Sequence, residues 1–222
     1  MHTSRHGRWL AAAALVASSL ALGTAHATPI SGPSSLSVAG VSFSNFGCTL
    51  TGTGSALPDS CKQITVGANP QGNGIEFSSG FTALGFGYNY TDATIHYRAS
   101  DPNGITGVSL GFNGTFLGLA ISSVTETIRD AATNARVGFL EVSCNLLTCT
   151  RDDPASGFIP LNGTYTDLLV EKDINVSAFA GESQISIIDQ GYQTNVPEPA
   201  SMALLGVGLV GLGAVRRRKQ VA

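Results

Sequence analysis

Leu84, Phe86, Tyr88 and Tyr90 occupy every second position of one short run, with Ala83, Gly85, Gly87 and Asn89 between them. A period of two places the two sets on opposite faces of a β-strand, whereas a helix would scatter each set around its axis. The pattern recurs downstream. Leu168, Val170, Ile174 and Val176 share a face opposed by Glu171, Asp173 and Asn175, and Ile185 and Ile187 alternate with Ser186 and Ile188. No extended stretch between residues 28 and 195 keeps a helical period of about 3.6. Turn formers divide the runs at intervals of roughly 8–12 residues, as in sandwiches and barrels. Asn69-Pro70-Gln71-Gly72-Asn73-Gly74, Asp101-Pro102-Asn103-Gly104 and Asn162-Gly163 are the clearest breaks.

Two places depart from the pattern. Leu119 and Ile121 are odd-numbered while Val124 and Ile128 are even, so a bulge or bend at Ser122-Ser123 would be needed to return all four to one core face. Residues 127–135, TIRDAATNA, have room for a short helix, with a loop as the alternative. The chain is thus expected to be all-β, a single antiparallel β-sandwich, jelly-roll-like, of about nine to eleven strands.

Residues 28–195 hold six basic side chains against fourteen acidic ones, a stronger imbalance than the net charge of −3 over the whole chain. An acidic surface repels nucleic acid, whose binding rests on basic patches. All four cysteines, Cys48, Cys61, Cys144 and Cys149, fall in this region. In an oxidising compartment they read as disulfides, and proximity favours Cys48–Cys61 and Cys144–Cys149 among three connectivities. A zinc site lacks its histidines, since His96 is the sole one in the region and neither cysteine spacing is C-x-x-C.

The two ends speak of location. Arg5 and Arg8, an apolar run from Trp9 to Leu22, and Ala25-His26-Ala27 make the three parts of a secretory signal peptide, residues 1–27, expected to engage the Sec translocon and to be cut before Thr28. At the other end residues 200–215 are apolar and uncharged, and Arg216, Arg217, Arg218 and Lys219 follow. As a helix this run reaches about 24 Å, enough to span a bilayer with local thinning, its basic end held cytoplasmic. Pro197 and Pro199 stop such a helix from continuing upstream. Within it, Gly206-Val207-Gly208-Leu209-Val210-Gly211 spells the dinucleotide fingerprint, but the chain ends before the βαβ unit and acidic partner that fingerprint requires.

The order Val196-Pro197-Glu198-Pro199-Ala200-Ser201, Gly-rich apolar run and basic end resembles the PEP-CTERM sorting tail of Gram-negative bacteria, a tail also labelled an ice-binding-protein C-terminal domain. The resemblance covers residues 196–222. It implies that Pro197, Glu198 and Pro199 are recognised by a membrane-embedded exosortase. It also implies an inner-membrane-anchored intermediate, delivery to the cell surface or outer envelope or release from the cell, and the company of exopolysaccharide and biofilm systems.

Candidate chemistry in residues 28–195 is sparse. Gly107-Val108-Ser109-Leu110-Gly111 matches the nucleophile elbow, but His96 precedes Ser109, against the required order of serine, acid, histidine. Asp152-Asp153, and Asp101 with Asn103, offer oxygens for a structural Ca²⁺, without the spacing of a calcium loop. Glu171 and Asp173 share a strand face, as glycosidase carboxylates also do. Tyr88 and Tyr90 are the best pair for stacking a sugar, and their face, shared with Leu84 and Phe86, assigns them instead to the core. N-x-[ST] sequences occur at Asn89, Asn113, Asn162 and Asn175. No catalytic residue, cofactor or metal is assigned. The reading is an exported, non-enzymatic protein of the envelope, surface or extracellular matrix; its alternative is an exopolysaccharide-binding lectin-like module or an envelope carbohydrate-active enzyme.

Overall fold

The computed structural model describes residues 27–32, 35–150 and 157–195. Nine strands follow in chain order: β1 (Thr28–Pro29), β2 (Ser35–Val38), β3 (Val41–Thr53), β4 (Thr65–Ala68), β5 (Gly74–Phe112), β6 (Thr115–Asp130), β7 (Arg136–Cys144), β8 (Cys149–Thr150) and β9 (Ile159–Thr194). Every pairing is antiparallel. They form one open sheet in the order β1-β4-β5-β9-β6-β7-β8, with the β2–β3 hairpin attached to β5. The all-β expectation holds. Among the described residues the one helical element is a 3₁₀ turn at Cys61–Gln63, and no helix is long and apolar enough to cross a membrane. The signal peptide up to His26, the sorting tail from Val196 and the Asp152-Asp153 pair lie outside the described residues.

Two strands of 39 and 36 residues, β5 and β9, hold the molecule together. Ala93, Ile95, Tyr97 and Ala99 of β5 face inward opposite Leu168, Val170, Ile174 and Val176 of β9, as alternation predicts. Further along the same two strands, Ile75 and Phe77 pair with the Ile188–Gln190 stretch, which is flanked on its other side by Leu110 and Phe112. The sheet doubles back between these halves. Tyr97 of one half donates or accepts a 2.8 Å hydrogen bond with Tyr192 of the other, and its ring lies 5.6 Å from that of Phe77. Phe43 packs 5.2 Å from Tyr192, closing one continuous core.

The bend has a visible cause. Gly85, Gly181 and Gly118 pair in register across β5, β9 and β6, and all three have positive φ. A Cβ on Gly181 would stand 1.9 Å from the Leu117 carbonyl oxygen, so glycine alone lets the strands pass this closely while turning. Register shifts flank the row, between Phe86 and Asn89 and between Leu119 and Ala120.

Four local expectations change. Leu84, Phe86 and Tyr88 point outward at the bend and Tyr90 is half-buried, rather than forming core. The β6 shift lies at Leu119/Ala120, not at Ser122-Ser123. It leaves Leu119 and Ile121 on the outer face while Ala120, Ser122, Val124, Glu126 and Ile128 point in. Residues 127–130 finish β6 instead of starting a helix, because Asp130 caps a turn with bonds from the Ala132 and Thr133 amides and the Thr133 hydroxyl. Ile188, not Ile187, joins Ile185 in the core, since the bulge opposite, between Ser78 and Phe81, changes the phase.

Candidate functional site: the outer face of β5, β9 and β6

Directly paired residues on neighbouring strands project to the same side. The outer face can therefore be read row by row, from the end near the register shift between Ser100 and Ile105, where β5 runs through the expected break at Asp101–Gly104, toward the glycine bend. The first row is Arg98, Leu169, Arg129 and Arg136. Arg98 grips Asp167 with two hydrogen bonds, Nε to Oδ1 at 2.6 Å and Nη2 to Oδ2, which hold its guanidinium above its ordinary basicity. A concavity of about 330 Å³ lies here, lined by His96, Arg129, Leu169 and Glu171 among others. His96 is exposed and lies against Gly47, where any side chain would collide with the imidazole.

The next rows are acidic and hydroxylic: His96, Glu171 and Thr127, then Thr94, Asp173, Thr125 and Glu141, then Asp92, Asn175 and Ser123. Partial burial pushes the Asp173 carboxyl up to about 6, helped by a hydrogen bond with Asp92 and by the charges of Asp92 and Glu171. The Asn175 amide reaches Asp92 Oδ2 at 3.4 Å. Glu171 thus stands between His96 and Thr127, and Asp173 between Thr94 and Thr125 with Asp92 hydrogen-bonded to it. No group of three or more His, Cys, Asp or Glu side chains able to hold a metal occurs among the described residues.

Past these rows the face becomes apolar. Tyr90, Ser177 and Ile121 lead to Phe86, Ala180 and Leu119, then to Leu84, Glu182 and Leu117. Tyr88 and Phe179 project at the register shifts, 65% and 61% exposed. A groove of about 530 Å³ runs between Tyr88, Leu119, Ile121 and Phe179 on one side and Leu146 and Leu147 of the β7–β8 loop on the other. The Tyr88 and Tyr90 ring centroids are 5.4 Å apart at an interplanar angle of 35°.

The remaining sequence candidates are scattered. Ser109 is buried within β5 with no hydrogen-bond partner for its hydroxyl, so no nucleophile elbow forms there. Asp101 is buried and its Oδ1 accepts from the Asn103 amide at 2.7 Å. Cys48 bonds to Cys61 and Cys144 to Cys149, the neighbour pairs that proximity favoured. Asn113 Oδ1 accepts from the Ser186 and Ile187 amides, Asn89 bonds the Leu84 and Gly87 carbonyls, and Asn162 accepts from the Tyr165 hydroxyl. Ala27 is exposed beside Gly67, and Thr28 opens β1 opposite Val66.

The sequence reading missed a buried charge cluster. Lys172, fully buried, donates to Glu126 Oε2 and, at 2.8 Å, to Gln190 Oε1 on the facing half of the sheet. Burial raises the Glu126 carboxyl above its ordinary range and lowers the Lys172 ammonium, each opposed by the attraction between them. Burial likewise raises the Tyr97 and Tyr192 phenols well above theirs. The signal was available: Lys172 and Glu126 stand at inward positions of their own alternations.

Residues 195–219 match the PEP-CTERM protein-sorting motif. No curated protein matches the chain as a whole. Among solved structures, a carbohydrate-binding module in complex with β-1,4-galactotriose aligns at 10% identity and TM-score 0.33, over 66% of this chain and 88% of that one. The enzymatically active domain of bacteriophage CBA120 tailspike protein 4 aligns at 16% identity and TM-score 0.30, over 68% of this chain but 20% of its own length. Likenesses this slight carry no functional argument. The chain does carry a PEP-CTERM protein-sorting motif, beginning at Asn195, one residue after β9 ends.

Proposed function

We propose that this is an exported protein of the Gram-negative cell envelope or surface, sorted by an exosortase-type system and acting by binding or structure rather than by catalysis. Its parts are a signal peptide (residues 1–27), a jelly-roll-like β-sandwich (28–195) and a tail (196–222) that holds the membrane through residues 200–215 until it is processed. One observation carries the reading, the sorting motif placed immediately after β9. The two disulfides suit an oxidising compartment. Changing Pro197, Glu198 and Pro199 to alanine should leave an unprocessed precursor in the inner membrane, visible as a larger band on immunoblots of fractionated cells. Normal maturation of that variant refutes the assignment.

A second reading, binding of an exopolysaccharide, is favoured by the outward Tyr88 beside Tyr90, next to the hydrogen-bonding groups of Asp92 and Asn175. Rings that stack on sugars need this exposure, with polar groups at the ring edge. Saturable retention on the producing cell's exopolysaccharide, lost in Tyr88→Ala, supports it; retention unchanged by that substitution counts against it.

A further inference from the structure

The apolar surface at the glycine bend is larger than a monomer ordinarily leaves open. Phe86 is 95% exposed and Leu147 88% exposed, and Tyr88, Leu117, Leu119 and Phe179 are each more than half exposed. With roughly 150–250 Å² per aromatic side chain, the three rings alone present about 400 Å². The aliphatic side chains carry the total past the ~300–600 Å² of a typical largest patch. It approaches the ~800 Å² per partner of a stable interface.

Shape adds to area. Phe86 projects immediately beside the 530 Å³ groove between Phe179 and Leu147, so a knob and a hollow of one chemistry sit side by side. A two-fold axis requires this of a self-complementary surface, because each copy must offer both halves of the contact. Charge lies at the margin, where Glu182 flanks the patch at one end and Asp92 at the other, as an apolar centre with a polar rim demands.

The chain's own outlying segments fit poorly as covers. Residues 151–156, Arg-Asp-Asp-Pro-Ala-Ser, are hydrophilic. The Asn195 amide donates to the Gly104 carbonyl, where β9 ends, at the far end of the sheet from the bend. Thr194 stands thirteen positions along β9 from Gly181, about 40 Å at ~3.3 Å per step. Residues 196–199 span at most ~14 Å, so the apolar run from Ala200 begins far from the patch. The N-terminal apolar run is removed on export, and on this point the inference rests on the proposed function.

We infer that a second copy of this chain covers the bend, in a two-fold dimer where Phe86 of each copy enters the groove between Phe179 and Leu147 of the other. The test is sedimentation velocity of the full exported chain, purified from envelopes in mild detergent, with mass spectrometry fixing its first residue. Wild type and Asn103→Asp, at the far end of the sheet, should sediment as dimers. Phe86→Asp and Leu147→Asp, both at exposed positions that leave folding intact by thermal melt, should each weaken association at least tenfold. A monomeric wild type overturns the proposal, as does a dimer indifferent to both substitutions, which would place the contact elsewhere. Flotation of a monomer with phospholipid vesicles, lost in Phe86→Asp, would assign the face to lipid and equally overturn it. A chain beginning at Met1 would refute the export reading, while the response to Phe86→Asp still decides the dimer.

Discussion

Lys172 and Phe86 lie on paired strands but on opposite faces of the sheet, Phe86 one residue from the glycine bend, and each stands where its chemistry is least at home. The lysine is fully buried among aliphatic and aromatic side chains, while the phenyl ring is 95% exposed. Near Lys172 the sheet faces its own other half, so an ammonium there must find Glu126 and Gln190 or pay several kcal/mol of desolvation. At Phe86 the sheet turns away from itself, and the side opposite the core has no layer to receive a ring. Alternation separates two faces; it does not say which of them meets another layer.

Four changes would break or sharpen this contrast, and the largest concerns the buried charge. Lys172→Ala leaves the Glu126 carboxylate without its cation and should cost about 3–5 kcal/mol in urea unfolding. Lys172→Met combined with Glu126→Leu should recover most of that loss, since an apolar pair of similar volume replaces both ions. A double variant as unstable as the single one would mean that the cluster is needed for more than mutual neutralisation.

Gly181→Ala attacks the bend beside Phe86. Its φ of +151° and the Leu117 carbonyl 1.9 Å from the new Cβ predict a loss of about 1–3 kcal/mol, read as a lower melting temperature. An unchanged melting temperature would show that the turn does not depend on the glycine row.

Asp173 tests the acidic rows between the two extremes. Its folded carboxyl titrates at about 6, above the ~3.9 of an unfolded chain, so the native state holds the proton more tightly. That contribution to stability is complete below about pH 4 and is lost as pH rises through 6. Asp173→Asn should therefore stabilise the protein at pH 8, by about 1 kcal/mol once solvent screening is allowed for, and by nothing at pH 3.5. A gain of equal size at both pH values would locate its cause outside the carboxylate. The smallest effect belongs to Phe86→Ser, whose ring touches little within its own chain; urea unfolding, followed at dilutions where the chain is monomeric, should shift by less than about 0.5 kcal/mol. A larger loss at that dilution would mean that the ring packs against its own chain.

Much of the architecture was legible. The inward rows Leu168, Val170, Ile174 and Val176, the turn at Asn69–Gly74 and the pairing of neighbouring cysteines follow from period, turn chemistry and proximity. The Asn69 side chain accepts from the Asn73 and Gly74 amides, as a turn asparagine should. The bulges were harder. They depend on which residue of a partner strand stands opposite, and that partner is some ninety residues away for β5 and β9. The candidate face was partly visible: Glu171, Asp173, Tyr88 and Tyr90 drew notice, but their assembly with Asp92, Asn175 and Phe179 needs three strands side by side.

The sequence by itself determined that the body would be sheet and that its end would carry a sorting motif, because strand period, turn residues and a linear tail are local properties. Only the tertiary structure decided which rows became core. Burial depends on what lies across the core: it admits Lys172 because Gln190 waits on the facing half, and it leaves Phe86 exposed because, on the outer face beside the row of glycines, no second layer of described residues covers it.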